Sequence, residues 1–234
     1  MWMSLLLSLS TAHAEPLASS ELPNTGHTLP KGAAALHVFG SSAVAVTDAL
    51  ELKSNLLGLI GGPNLGLEYA LKEGKKGAMS LGVSGSTNWR FSTQSISGNY
   101  IYTMGGPLEN RLNLSAGGGY IHGHIDGTDI NGNVVEIDIS GPTTSLSAGY
   151  DIVPKPRTAF QLYASADPYN CIVGKSFYGS AGATWNHSWE RARLRLGLVV
   201  VPTGDTQSVV DALGLDFDLP PVLPLPTFDV WWRF

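Results

Sequence analysis

The sequence predicts an all-β protein, a transmembrane antiparallel up-and-down β-barrel of about 12 strands. The composition, a recurring two-residue alternation and an aromatic last strand predict this class. Charged residues make up only 14% of the chain, against roughly 25% in soluble domains. No uninterrupted apolar run approaches the roughly 18 residues that a membrane-spanning helix needs. The net charge of −5, without a basic cluster, argues against a nucleic-acid partner.

Large apolar side chains alternate with small or polar ones over most of the chain. Leu67 and Tyr69, for example, flank Glu68, and such a period of two puts the apolar side chains on one face of a strand. A soluble β-sandwich or soluble barrel also alternates, but its polar face is bathed in water. Here the polar positions are mostly Gly, Ser, Thr and Asn, which suits the lumen of a membrane barrel. We therefore favour the membrane barrel.

Short polar turns and longer connections set the strand count. Tight turns are predicted at 46–49, 73–76, 106–110, 154–157 and 186–189, with longer connections between them. Together they join about 12 strands, an even number as in bacterial barrels. The segment 134–153 fits least well, because its apolar side chains stand at odd-numbered positions before Gly141-Pro142 and at even-numbered positions after it. Either a bulge there restores the phase, or the segment forms two strands.

The last strand carries the strongest signal. Four large apolar side chains share one of its faces: Phe228, Val230, Trp232 and Phe234. Asp229 and Arg233 lie on the other face. This ending resembles the closing strand of Gram-negative outer-membrane β-barrels, where it also serves as the assembly signal. The resemblance implies that the barrel-assembly machinery is a partner.

The opening of the chain is similar to that of an uncharacterised group of Gram-negative outer-membrane barrels. A Leu-Pro-Lys-Gly stretch (29–32) precedes the first strand, and a Val-Thr-Asp turn (46–48) leads into a Leu-Glu-Leu strand (50–52). The resemblance implies an outer-membrane location, surrounded by outer-membrane lipid and lipopolysaccharide. With both termini periplasmic, the short turns face the periplasm and the longer connections face outward. The resemblance says almost nothing about which solute the barrel would carry.

Three regions are predicted along the chain. Residues 1–14 are predicted to be a signal peptide, since an apolar stretch runs into Ala12-His13-Ala14, an A-x-A cleavage pattern. Residues 15–31 either trail in the periplasm or plug the lumen, and 32–234 form the barrel. The single Cys171 excludes an intrachain disulfide and gives no metal-site pattern. We predict no cofactor.

The inward charges are the candidate functional set. The alternation along the strands predicts that ten charged side chains point into the lumen: Arg191, Arg193, Arg195, Asp229, Arg233, Glu51, Lys53, Glu68, Asp151 and Asp167. Buried charges need partners, so one interpretation is a structural network that fills the lumen. The other is an arginine ladder opposite acids, which creates a transverse field that selects solutes. Both interpretations stay open.

An outward aromatic belt is predicted from the same parity. Its members are Tyr69, Tyr100, Tyr102, Tyr120, Tyr150, Trp185, Phe228, Trp232 and Phe234. Such residues mark the interfaces of membrane barrels with the lipid headgroups.

Other polar motifs are weaker candidates. His187, Ser188 and Glu190 suggest the His, Ser and Glu of some lipid A deacylases, but neighbours on a strand point to opposite faces. His122 and His124 share a face and are followed by acids, a spacing that could hold a transition metal. Polar residues are also expected just beyond the belt, and we predict no metal site and no catalysis.

The predicted function is therefore passive. We expect a narrow, porin-like channel for ions or small polar solutes, or else a closed structural barrel. An outer-membrane lipid hydrolase, of the lipid A deacylase or phospholipase type, and a surface-binding adhesin barrel are the alternatives. The proline-rich connection 203–224 is a candidate lid.

Overall fold

A computed structural model describes residues 22, 25–56, 58–89, 92–128, 134–173, 178–189, 191–203 and 220–234. The predicted signal peptide and most of 15–24 lie outside these residues. The strands are β1 (Ala34–His37), β2 (Ser41–Ala45), β3 (Leu50–Asn55), β4 (Asn64–Gly74), β5 (Gly77–Asn88), β6 (Thr93–Met104), β7 (Arg111–Thr128), β8 (Val134–Lys155), β9 (Thr158–Ala166), β10 (Gly179–Ser188), β11 (Ala192–Pro202) and β12 (Val222–Arg233). The helices α1 (Gly58–Gly61) and α2 (Pro168–Val173) are short.

The strands form one closed antiparallel barrel. Each pairs with its neighbours in sequence, and β1 pairs with β12 to close the ring. The predicted fold class, including the count of 12 strands, is confirmed. Because this number is even, β1 begins and β12 ends at the same rim. We call this rim, with its short turns, the turn end, and the opposite rim the loop end.

Side-chain alternation separates an apolar exterior from a polar interior. On β4, Leu67 and Tyr69 are 40% and 52% exposed, whereas Glu68 between them is 4% exposed. The same contrast recurs on most strands, since successive side chains point to opposite faces. No helix in the described part of the chain is long and apolar enough to cross a membrane.

Strand β8 differs from its prediction. It is one continuous strand, and its pairing with β7 runs without a register shift from Asp151 to Val134. The expected bulge at Gly141-Pro142 is therefore wrong. Strand β8 pairs with β9 only from Leu146 onward. The nitrogen of Pro142, which has no hydrogen to donate, can therefore face a strand edge that has no hydrogen-bonded neighbour.

Two connections also differ from their predictions. Strand β10 continues to Ser188, so residues 186–188 of the predicted turn at 186–189 belong to the strand. Strand β12 begins at Val222, so residues 222–224 of the predicted connection 203–224 belong to the strand, which includes both Pro224 and Pro226. Since β1 covers only residues 231–233 of β12, these prolines need no ladder partner on that side. The rest of the predicted lid, 204–219, lies outside the described residues.

Candidate functional site

The lumen is packed at the turn end and open at the loop end. Along the inward row of β5, Ala78 and Ser80 are 1% and 0% exposed, whereas Ser84 and Ser86 are exposed. The interior therefore has a closed half and an open half.

A fully buried ion pair anchors the closed half. The Nε atom of Arg111 donates to Oδ2 of Asp151 across 3.0 Å. Asn113 donates to the same oxygen at 3.0 Å, and Gln161 donates to Oδ1 at 2.9 Å. Three donors thus satisfy a carboxylate that water cannot reach, which is what a buried charge requires.

A second ionic cluster lies on the wall formed by β3 and β4. The Lys53 ammonium group contacts Glu68 and lies 3.4 Å from Oε2 of Glu51. Ser80 donates to Oε1 of Glu68 at 2.7 Å. Both carboxylates are almost completely buried, and Lys53 is shared between them.

A third cluster joins the barrel seam where β1 meets β12. Nδ1 of His37 lies 2.7 Å from Oδ2 of Asp229, and the His37 ring stacks on Trp231 at 4.9 Å. Arg195 lies over the same indole, 5.1 Å from its centroid. Gly40 leaves room for this arrangement, because a Cβ there would stand 2.6 Å from Oδ2 of Asp229.

The N-terminal segment enters the closed half of the lumen. Residues 25–29, which we call the strap, are all buried. The Gly26 amide donates to Oγ1 of Thr103 at 2.8 Å, and the Leu29 amide donates to Glu51. The strap is therefore bonded to the interior faces of two separate strands.

An acid at the turn end of β4 holds the strap a second time. Nδ1 of His27 lies 3.0 Å from Oε1 of Glu73, and the Thr28 hydroxyl lies 3.1 Å from Oε2. Leu29 packs with Leu22 in an apolar cluster that includes Trp231. Glu73 is thus a single side chain with two contacts to the strap.

Above the strap lies a cavity of about 670 Å³, whose lining includes Thr25 and His27 below and Asn88 near the loop end. Its wall is mostly Ser, Asn, Thr and Gly. Cross-strand serine pairs lie along it, with Ser84 2.8 Å from Ser97 and Ser86 2.8 Å from Ser95 between hydroxyl oxygens.

The predicted inward charges fall into two groups. Six lie in the clusters just described: Glu51, Lys53, Glu68, Asp151, Arg195 and Asp229. The three arginines do not form a ladder along the cavity. Arg195 lines it, Arg193 is buried, and Arg191 precedes the first residue of β11. Arg233, at the turn end, donates its amide to the Arg191 carbonyl at 3.0 Å.

Asp167 does not join the charge network, contrary to the sequence prediction. It follows the last residue of β9 and accepts hydrogen bonds from the Thr144 hydroxyl at 2.6 Å and the Asn170 amide at 3.1 Å. Burial would raise the pKa of Asp167, but these hydrogen bonds outweigh it and hold the pKa below its usual 3.8. The residue caps α2.

The side chains of the predicted aromatic belt lie on the outward faces of their strands. Exposed members are Tyr69, Tyr102, Tyr120, Tyr150, Phe228, Trp232 and Phe234, while Tyr100 and Trp185 are half-buried.

Sequence reasoning missed several residues of the lumen, three of them in the clusters described above. Arg111, His37 and Trp231 are each buried inside and bonded or stacked within a cluster. For Arg111 the signal was present, since it begins the alternation that places Leu112 outward and Asn113 inward. Trp231 was implied by the opposite placement of Trp232.

The structure separates the side chains of the candidate catalytic motif, whereas the acids that follow the candidate metal-binding histidines, Asp129 and the side chain of Asp126, lie outside the described part. Ser188 is buried inside, whereas the His187 ring stacks on Trp185 at 5.5 Å on the opposite face. Glu190 lies outside the described residues. Within the described ranges, no group of three or more His, Cys, Asp or Glu side chains could hold a metal ion.

His122 and His124 instead have partners on β8. Nδ1 of His122 lies 2.8 Å from Oγ of Ser140, and Nδ1 of His124 lies 2.7 Å from Oδ1 of Asp138. Both pairs continue the outward row of Tyr120 toward the loop end.

Comparisons with known proteins add little. No protein-family model matches the chain, and no curated protein matches it. One solved structure, described as the NanC porin in a rhombohedral crystal form, is similar over 85% of this chain and 96% of its own. The TM-score is 0.48 and the sequence identity is 7%. A likeness of this strength does not identify a function.

Proposed function

We propose that this protein is a Gram-negative outer-membrane barrel that serves as a narrow, porin-like passage for ions or small polar solutes. Its short turns and both termini face the periplasm, and outer-membrane lipid and lipopolysaccharide surround its apolar exterior. The C-terminal strand is the part that the barrel-assembly machinery binds.

One observation carries this proposal: a polar cavity of about 670 Å³ inside a barrel whose outward rows are apolar. A soluble protein has the reverse arrangement, because burying apolar side chains is what drives folding in water. Outward leucines and aromatic residues lower the free energy of the protein only when lipid covers them. The polar interior then provides a hydrated path.

The strap sets the limit on transport. It lies between the cavity and the turn end and is held by Glu51, Glu73 and Thr103. Solutes therefore enter from the loop end, and they cross only when the strap moves aside. This accounts for a narrow or intermittent passage rather than a wide pore.

Planar-bilayer recording of the purified full chain tests the passage. We expect small, discrete conductance steps that Ser86→Trp reduces, because Ser86 lines the cavity. Leu81→Trp, on the outward face of the same strand and 47% exposed, is the matched control and leaves the steps unchanged. Protein that is folded and inserted, as judged by heat-modifiable gel mobility, but that gives no conductance would refute the proposal.

A lipid hydrolase is the second candidate, and the outward Ser140–His122 hydrogen bond favours it. Ile96 and Tyr120 are the last apolar residues of their outward rows, and Gln94 and His122 follow them as paired residues. His122 therefore lies where the apolar exterior ends, which is the level of the membrane interface, where the ester groups of lipids lie. Within the described ranges no strand pairs with the far edge of β8 before Leu146, so backbone N–H groups there are free of a ladder.

In this candidate reaction Ser140 Oγ attacks a lipid ester and its proton passes to His122. The acyl group is bonded to Ser140, the alcohol leaves with the proton, and water then releases the fatty acid. Ser140→Ala should abolish fatty-acid release from phosphatidylcholine micelles and labelling by a fluorophosphonate. Ser147→Ala, on the inward face of β8, should change neither. Absence of both signals in the unmodified chain excludes the hydrolase.

A further inference from the structure

We infer that the cavity selects neutral, hydroxyl-rich solutes of about the size of a mono- or disaccharide over charged solutes of equal size. This inference rests on the proposed passage and names the class of solute that it takes.

The wall of the cavity offers donors and acceptors together. A serine hydroxyl has one hydrogen and two lone pairs, so the pair Ser84–Ser97 still presents one hydrogen and several lone pairs after its own bond forms. Ser86–Ser95 repeats the arrangement one row nearer the loop end. Solute hydroxyl groups also donate and accept, so they match such a wall. An anion uses only the donors, and a cation uses only the acceptors.

Asparagine side chains extend this pattern. Asn64, Asn88 and Asn99 line the same cavity, and each carboxamide both donates and accepts. Asn64 is fixed by its Oδ1 contact with the Ser54 hydroxyl at 3.2 Å and by donation of its Nδ2 to the Asn55 carbonyl at 3.0 Å. This part of the wall is therefore held in place by neutral hydrogen bonds.

Three charged side chains, Lys53, Glu68 and Arg195, line the cavity, and each is already paired within the protein. Lys53 lies between Glu51 and Glu68. Arg195 lies 3.7 Å from Oδ2 of Asp229 and 3.0 Å from Oδ1 of Asn186. A charged solute would have to break such a pair or enter without a counter-charge, and both are costly in a narrow lumen.

The volume sets the size of the solute. A cavity of about 670 Å³ falls within the range of roughly 300–1,000 Å³ that small-molecule sites occupy. A mono- or disaccharide fits, whereas a longer chain does not fit in one piece.

Swelling of proteoliposomes that contain the full chain tests this selectivity. Glucose, gluconate and glucosamine are similar in size and differ in charge, and we expect glucose to enter several-fold faster than either charged sugar. Ser86→Asp should slow the entry of gluconate further. Ser86→Asn, whose side chain has nearly the volume of Asp but no charge, should leave glucose entering faster than both charged sugars. Equal or faster entry of a charged sugar overturns the inference.

Equilibrium dialysis of the detergent-solubilised chain separates this inference from the proposed passage. If no sugar crosses the membrane but labelled glucose binds in preference to gluconate and glucosamine, the passage fails and the selectivity stands. If glucose crosses no faster and binds no better than the charged sugars, the selectivity fails even though a passage exists.

Discussion

Single residues in the lumen illustrate how far parity reasoning extends. The period of two assigned Glu51, Glu68, Asp151 and Asp229 to the interior, where the structure has them buried. Parity does not identify partners, because these depend on registers between strands that lie far apart in the chain. Asp151 pairs with a residue 40 positions away, and no local pattern encodes that distance.

The Arg111–Asp151 pair gives a prediction at this scale. Asp151→Ala should lower the free energy of unfolding by about 3–5 kcal/mol, because it leaves the Arg111 charge buried without its partner. The measurement is the midpoint of guanidinium unfolding in detergent. Asp138→Ala is the control, since the Asp138 side chain is 81% exposed and its pair contributes at most about 1 kcal/mol. Equal midpoints for both variants would contradict the account.

Whole elements were predicted best where burial alternates along a strand and least well where an edge has no partner. Gly141-Pro142 and the prolines of β12 look like breaks when every strand is assumed to have two neighbours. In the structure, β8 and β12 each have a stretch that pairs on one side only. The sequence does not encode which edges are free, because this depends on the lengths of the neighbouring strands.

The connection between β9 and β10 gives a prediction for an element. Asp167 caps α2, so Asp167→Ala should loosen the helix and increase the rate at which maleimide labels Cys171, which contacts Tyr178. Because the pKa of Asp167 is lowered, the charged cap is present at neutral pH and is lost as the pH falls through that lowered value. An unchanged labelling rate at neutral pH would mean that the cap does not order α2. Asp138→Ala again serves as the control.

At the scale of the whole molecule, the strap was beyond local prediction. The N-terminal segment has no strong periodicity, and two placements were equally open for it. What fixes it is the space left inside the closed half of the lumen, together with acceptors on Glu51 and Glu73. Those acceptors lie on β3 and β4, and Thr103 on β6 adds a third, so the site for the strap exists only once these strands have come together.

The strap gives a prediction for the whole molecule. Glu73→Gln weakens the contacts with His27 and Thr28, so we expect more frequent or longer conductance openings in planar bilayers. Glu109→Gln is the matched control, because Glu109 accepts from Gly106 within its own turn. If the two variants behave alike, Glu73 does not govern the passage.

Trp231 and Trp232 allow the most direct test of the central claim, that apolar side chains face lipid around a polar lumen. They are neighbours in sequence, yet Trp231 is 0% exposed inside the barrel and Trp232 is 40% exposed outside it. Variants that retain Trp231 or Trp232 as the single tryptophan, with the other five of the chain's six tryptophans replaced by Phe, can be reconstituted with brominated phosphatidylcholine, which quenches tryptophan fluorescence on contact. We expect strong quenching of Trp232 and little quenching of Trp231. Equal quenching of both, or stronger quenching of Trp231, would contradict the account.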